Sequence, residues 1–476
     1  MKTPRGGFLL LASVCALLGS GCMVGPSYHM PGSALINASA AQQPFVATGD
    51  PALSDTAVPQ TWWHLYQDHR LDQWVEEALR SNTDLRQADA NLERSRAALK
   101  ATKALRQPSF AVNAGVQYSQ LAGQQYLQPI TPPRATYYDT ELTVGYDLDL
   151  FGGIRRGIEA ARADDEAVEA ARDLVRVNVA AETIRAYVDA CGAGMQLEAA
   201  ARVLSVQQQS LALTERLFQG GRAIDLDVTK SRQLVDQQTG VIPSLQAARR
   251  NALFRLVTLT GKPPALFARD LETCASPPRL THPLPVGDGA ALLKRRPDVR
   301  EAERQLAAAT AEIGVATAQL YPDISIGIPV GSIGAARTAY ASSTNFYGIG
   351  AVLSWQANQS AARARVQEAN ASTKLALANF DGVVLGALRD TETALNVYVH
   401  DLQREDSTRR ARDEAERAVQ DSERLQGAGR ATSLAVIDSQ RAYATAEETL
   451  AQLETALADD QVAVFLALGG GWESAQ

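Results

Sequence analysis

Cys22 is the first residue whose type and placing imply a definite reaction. It follows Gly19, Ser20 and Gly21, which close an apolar run over residues 8–18 preceded by Lys2 and Arg5. A basic start, an apolar stretch of this length and a small-residue site make a signal peptide, here residues 1–21. A cysteine directly behind such a site is a thiol nucleophile placed for lipid transfer, so Cys22 is the expected lipidation site. Leu18 stands one place further back than in the usual lipoprotein box, where this chain has Gly19. Cys15 leaves with the signal. Cys191 and Cys274 are far apart, form neither a disulfide framework nor a zinc-site spacing, and are expected to be unpaired.

The remaining residues offer no second chemistry. His29, His64, His69, His282 and His400 lack metal-ligand spacing, and His64 and His69 flank Asp68 in an expected surface segment. No Gly-rich phosphate loop precedes a helix, and no nucleophile stands beside a base. Neither an enzyme, a metal nor a cofactor is expected. The net charge of −7 is spread along the chain, without the basic stripe of a nucleic-acid protein. Lys294-Arg295-Arg296 reads as a solvated helix end. No apolar run of helix-spanning length follows the N-terminus.

The elements around these residues are duplicated. Asp84-Leu85-Arg86-Gln87-Ala88 returns as Asp298-Val299-Arg300-Glu301-Ala302, and one register pairs Leu79 with Leu293 through to Pro108 with Pro322. A second stretch pairs Leu217, Gly221, Arg222 and Gly261 with Leu425, Gly429, Arg430 and Gly469. The register shifts between Pro108 and Arg155. Each unit reads as a helix ending at a proline, two alternating segments, a very long helix, a Gly-rich turn and a second long helix. The expected division is 22–70 as an extended lipid-anchored segment, 71–270 as the first repeat, 271–288 as a linker and 289–476 as the second repeat.

Residues 153–219 contain no proline, and apolar or small residues recur at helical spacing, as in Val175, Val179, Ile184 and Val188. A helix of some 65 residues spans roughly 100 Å. Residues 361–426 match it. Each rod stops at a turn, Gly220-Gly221-Arg222 or Gly427-Ala428-Gly429-Arg430, and returns over 225–259 or 433–468. These are helical hairpins with coiled-coil packing.

The segments between them alternate with period two. Phe110, Val112, Ala114, Val116 and Tyr118 oppose Ala111, Asn113, Gly115, Gln117 and Ser119, and Leu142, Val144, Tyr146 and Leu148 oppose Glu141, Thr143, Gly145 and Asp147. Ile324, Ile326, Ile328 and Val330 form the third apolar row, and Tyr347, Ile349, Ala351, Leu353 and Trp355 the fourth. Their length and their terminal aromatics, among them Tyr118, Tyr137, Tyr138, Phe151, Tyr321, Tyr340, Phe346 and Trp355, suit tilted strands of a membrane barrel. A half-buried soluble sheet gives the same alternation. In a bilayer four strands cannot close, and open edges leave backbone groups unpaired. About eight strands make a barrel filled by its own side chains. Three copies would supply twelve strands and a twelve-helix tube, with a tetramer as the next choice.

Several motifs together resemble the outer-membrane efflux proteins of the TolC-like family, in its lipoprotein branch. They are Cys22-Met23-Val24-Gly25-Pro26-Ser27-Tyr28-His29-Met30-Pro31, the pair Trp62-Trp63, Asp147-Leu148-Asp149-Leu150-Phe151-Gly152, Arg295-Arg296-Pro297-Asp298-Val299 and Tyr321-Pro322. The resemblance covers essentially the whole mature chain. It implies a mainly α mixed fold with internal duplication: long hairpins in a periplasmic α-barrel, and four transmembrane strands per chain in a trimeric 12-stranded β-barrel. It implies a homotrimer set in outer-membrane lipid, docked on a periplasmic adaptor and through it on an inner-membrane efflux pump, passively conducting drugs or other small toxic compounds. The adaptor-docking turns carry over to Gly220, Gly221, Arg222, Gly427, Gly429 and Arg430. The family's pair of gate aspartates matches at Asp438 but falls on Ala435 at its first place. The first repeat has Asp227 and Lys230 there, so Asp438 and Asp227 are the candidate gate. A type I protein-secretion duct and a periplasmic coiled-coil adaptor or scaffold lipoprotein are the alternatives.

Overall fold

The computed structural model describes residues 23–47, 49–120, 122, 129, 131, 133–280 and 282–470. The signal segment and Cys22 lie outside them. The first repeat forms α1 (His69–Ser81), α2 (Thr83–Ala104), β2 (Ser109–Ser119), β3 (Ala135–Leu148), α3 (Gly153–Gln219) and α4 (Asp225–Leu259). The second forms α5 (Gly289–Arg295), α6 (Pro297–Ala318), β5 (Asp323–Ala335), β6 (Asn345–Tyr347), β7 (Gly350–Ser354), α7 (Ser360–Gly427) and α8 (Ser433–Ala467). Two short strands, β1 (Leu53–Ser54) and β4 (Leu284–Pro285), pair in parallel and join the N-terminal segment to the linker. None of the helices among the described residues is long and apolar enough to cross a membrane.

The helix starts follow from capping chemistry. Asp68 Oδ1 accepts the Arg70 and Leu71 N–H groups to open α1, while its Oδ2 accepts the Tyr187 hydroxyl at 2.8 Å. Asn82 breaks α1 from α2: its Oδ1 accepts from Asp84 and Leu85, and its Nδ2 donates to the Leu259 carbonyl. Asp149 opens α3, accepting from Ile154 and Arg155 N–H at 2.9 Å each.

The chain forms two compact units that cut across the repeats, each taking a segment from both. One comprises Met1–Pro31, Leu92–Val168 and Ala302–Phe380. It holds an antiparallel sheet in the order β2-β3-β5, with β6 and β7 both paired to β5. Register places Leu142 opposite Val112 on one side and Val330 on the other. The same register sets Val144 against Phe110 and Ile328, so the alternating apolar residues merge into one face. The opposite face carries Ser109, Ala111, Asn113 and Gly115 across from Gly145, Thr143, Glu141 and Asp139, with Gly327, Pro329 and Gly331 on β5.

The fourth alternating segment is split. β6 and β7 keep one register against β5, but Gly348 and Ile349 leave the ladder. Gly348 N–H donates to Pro329 O at 3.0 Å. Proline has no N–H to return the bond, so the ladder is interrupted opposite it.

The second unit comprises Gly32–Asn91, Glu169–Glu301 and Asp381–Gln476. Its core gathers Trp62, Trp63, Ile184, Tyr187, Leu253, Leu256, Leu271, Leu457 and Phe465. Trp62 stacks on Phe465 with ring centroids 4.4 Å apart. Arg295 is not a solvated helix end: its Nε and Nη2 donate to the Leu468 carbonyl at 3.0 and 2.7 Å. Arg296 donates to the Ala467 carbonyl and pairs with Asp298. These guanidinium groups satisfy the orphan carbonyls that end α8.

The expectation for the cysteines is overturned. Cys191 of α3 and Cys274 of the linker form a disulfide across a sequence separation of 83. The linker folds back onto α3, bringing together two thiols that sequence spacing does not connect. Closing a loop of this size removes denatured-state entropy worth about 4–5 kcal/mol in the chain-entropy account.

Candidate functional site: apolar sheet face, N-terminal strap and hairpin tips

The apolar face of the sheet is open. On the edge strand β2, Phe110, Val112, Val116 and Tyr118 are 72–77% exposed. Tyr347, Leu353 and Trp355 are exposed on the same face at the fourth strand position. Side chains of this kind in a row are left to water only where something apolar covers them. Alternation over bilayer-length strands with terminal aromatics fits lipid as that cover. Trp355 Nε1 donates to the Leu320 carbonyl and Phe151 stacks on Tyr321 at 4.5 Å, so the aromatics at the strand ends are held in place. Tyr138 departs from the girdle expectation. It is buried, hydrogen-bonded to Ser332 and Thr344, and accepts the Tyr340 N–H.

A strap follows directly on Cys22. Val24 N–H donates to Phe151 O at 3.1 Å, at the passage from β3 to α3. Arg156, fully buried, donates its Nε to Val24 O and an Nη to Gly25 O, and pairs with Glu159. Gly25 has φ +82, and a Cβ there would stand 2.5 Å from Gly314 Cα. Only glycine fits both the conformation and the approach. Tyr28 donates to Glu303 and lies beneath the Arg304 guanidinium. Burial beside the Glu303 carboxylate holds the Tyr28 hydroxyl well above its ordinary pKa, so it remains a donor.

The two hairpin tips are near copies. Arg222 N–H donates to Leu217 O at 2.7 Å, and Arg430 N–H to Leu425 O at 2.8 Å. Gly221 and Gly429 have φ +69 and +72, the left-handed position of a Schellman ending. Gly220 and Gly427 keep negative φ, so the requirement for glycine is narrower than the turn motifs suggest. Arg222 and Arg430 are exposed, as are Phe218, Ile224, Leu226, Leu425 and Leu434 around them. The candidate gate residues differ. Asp227 accepts the Ile224 N–H at 3.4 Å and thus caps α4. In the second repeat Thr432 takes over, its Oγ1 accepting from Ala435 N–H at 3.3 Å. Asp438 is exposed and 3.8 Å from Arg441.

Above the tips, Val203, Val419 and Tyr443 pack the two hairpins together. Nothing in the sequence singled out the buried Glu447, which lies between Arg202 and Arg412. Asp459 and Asp460 of α8 each keep one buried carboxylate oxygen without a hydrogen bond. Burial, reinforced by Asp189, pushes Asp459 up to about 7. Burial and Asp401 push Asp460 up to about 6.

A family model described as outer membrane efflux protein matches residues 74–262 and 290–470. Nodulation protein T of Rhizobium leguminosarum bv. trifolii is 29% identical over 465 residues, covering 96% of both chains. The pyoverdine export outer membrane protein OpmQ of Pseudomonas putida is 30% identical over 423 residues, 87% of this chain and 89% of that one. The solved outer-membrane channel OprN superposes with a TM-score of 0.88 at 33% identity, covering 95% of this chain and all of that one.

Proposed function

Because the chain belongs to the outer membrane efflux protein family, we propose that three copies of it form one passive duct for drugs or other small toxic compounds. The chain is an outer-membrane channel subunit of an efflux pump. The observation that carries the membrane reading is the continuous exposed apolar face of the sheet. The copy number is supported by its open edges: among the described residues β2 has a partner on one side only, and β6 and β7 likewise. Unpaired edges in lipid cost several kcal/mol per group. Four strand positions per chain reach twelve with three copies, wide enough for a lumen.

In this reading Cys22 carries the lipid, and the strap from Val24 to Tyr28 ties that anchor to the start of α3. The hairpins stand in the periplasm. Gly220, Gly221, Arg222, Gly427, Gly429 and Arg430 form the docking turns for a periplasmic adaptor, which links the duct to an inner-membrane pump. The exposed apolar and guanidinium groups there suit a protein partner. Asp438 is the gate residue of the second hairpin, while Asp227 serves the start of α4. Pyoverdine is the cargo named for OpmQ. The cargo of this duct is selected at the pump.

Deleting the gene, with adaptor and pump still produced, should raise intracellular accumulation of the pump's substrates and lower resistance to them. Unchanged accumulation for every compound tested would refute the efflux reading. Native mass in detergent should give three copies, and a stable monomer would refute the closure argument.

A further inference from the structure

Cys191 is wholly buried in the middle of α3, and Cys274 is nearly so at the end of the linker turn Arg269–Thr273. The linker is pressed onto the helix around them. A Cβ at Gly194 would lie 1.9 Å from the Cys274 carbonyl oxygen, and one at Gly192 would lie 2.3 Å from Thr455 of α8. Leu271, Leu284, Leu453 and Leu457 complete the same core. Once this packing exists, no protein active site can reach either sulfur. The bond must therefore form before the linker is laid over α3.

The bond is also one-sided within the duplication. It closes a loop that contains the end of α3, the Gly221 turn and all of α4, which is the whole first hairpin tip. The repeat position matching Cys191 is Val399, and the second hairpin has no such closure.

We propose that this chain is a client of a periplasmic dithiol oxidase, which closes the first hairpin at its base during export. The proposal rests on the export of the chain argued above. Exported N-terminus first, Cys191 meets the oxidase 83 residues ahead of Cys274. The Cys191 thiolate attacks the oxidase's reactive disulfide, forming a mixed disulfide and releasing one oxidase thiolate. The Cys274 thiolate then attacks the Cys191 sulfur, and the mixed bond breaks. The chain leaves oxidised by two electrons, and the oxidase leaves as a dithiol, reprotonated by the two protons the cysteines lost.

The test uses the full chain made in cells with and without a periplasmic dithiol oxidase. Proteins are acid-quenched and tagged with a thiol-reactive polymer, with or without prior reduction. In proficient cells Cys191 and Cys274 should take no tag unless reduced. In deficient cells both should be tagged, and the outer-membrane level should fall severalfold. The C274S variant should accumulate a reducible adduct with the oxidase through Cys191, well above the amount seen for C191S. The C191A/C274A variant, which has no bond to form, should show the same level in both cell types. Full oxidation without the oxidase, tagging without reduction, no adduct with either single variant, or an unchanged level of reduced chain would each overturn the proposal. Failure of export itself would appear separately, as chain missing from the membrane fraction in proficient cells.

Discussion

Glu447 of α8 is buried and accepts from Arg202 of α3 at 2.6 Å, while Arg412 of α7 stands 3.6 Å from the same carboxylate. One carboxylate thus joins the first hairpin to the second. The two partners are unequal, because the Arg202 side chain is more than half exposed and Glu447 is not. Removing Arg202 strands a buried anion on one distant guanidinium. Removing the charge of Glu447 returns Arg202 to water. R202A should therefore cost about 2 kcal/mol and E447Q about 1 kcal/mol. A double-mutant cycle followed by thermal unfolding in detergent should show coupling above about 0.5 kcal/mol. Additive losses would mean that the pair does not couple the hairpins.

The tip turns separate two kinds of glycine. G221A and G429A force a Cβ into a left-handed conformation and should each lower stability by about 1 kcal/mol. G220A and G427A have no such penalty and should be close to neutral in melting. Adaptor binding by pull-down then tests docking apart from folding. R222A with R430A should weaken capture without moving the melting temperature, and undiminished capture would count against docking through these turns.

The strand wall is two-faced by register, and substitution should show it. Arginine at Val112 puts a cation into lipid and costs about 2–4 kcal/mol near the bilayer midplane. Arginine at Asn113, on the other face, should be tolerated. The measurement is trimer yield in the outer membrane. Equal loss from V112R and N113R would remove the lipid assignment.

Asp459 and Asp460 set a pH dependence whose sign follows from burial. Their carboxyls titrate at about 7 and about 6 in the folded chain, above the unfolded value near 4. The folded state therefore binds more protons, and their contribution falls as pH rises from about 4 through about 7. Melting should be higher at pH 5 than at pH 7.5. D459N and D460N should flatten that difference and raise stability at pH 7.5, on the order of 1–3 kcal/mol for the more buried Asp459. A wild-type melting temperature that rises over this range would contradict the assignment.

The periodic features were legible in the sequence because repetition writes them many times over. α4 runs over the residues its pattern marks, and the faces of β2, β3 and β5 fall where alternation places them. What stayed hidden depends on single long-range meetings. Cys191 and Cys274 carry no spacing signal, and only the path of the linker brings them together. Arg295 looks solvated until the end of α8, 173 residues away, supplies the Leu468 carbonyl. Pro329 was visible, but its effect fell on Gly348 of another strand.

The non-lipid face of the sheet has a further consequence for throughput. Its residues across β2, β3 and β5 are mostly glycine, alanine, serine, threonine and asparagine, with the carboxylates of Asp139 and Glu141. Such a wall keeps its water. From Ser109 to Gly115 on β2, and across Gly145 to Asp139 on β3, a passing molecule finds no aromatic plate to stack on; the apolar exceptions on this face are Tyr137, Ile333, Phe346 against Gly331, and Val352. Residence time along that bare stretch is governed by diffusion through hydrated space rather than by escape from sticky sites. Where the wall is this bare it gives a cargo little to hold, and the same stretch serves chemically dissimilar molecules without redesign.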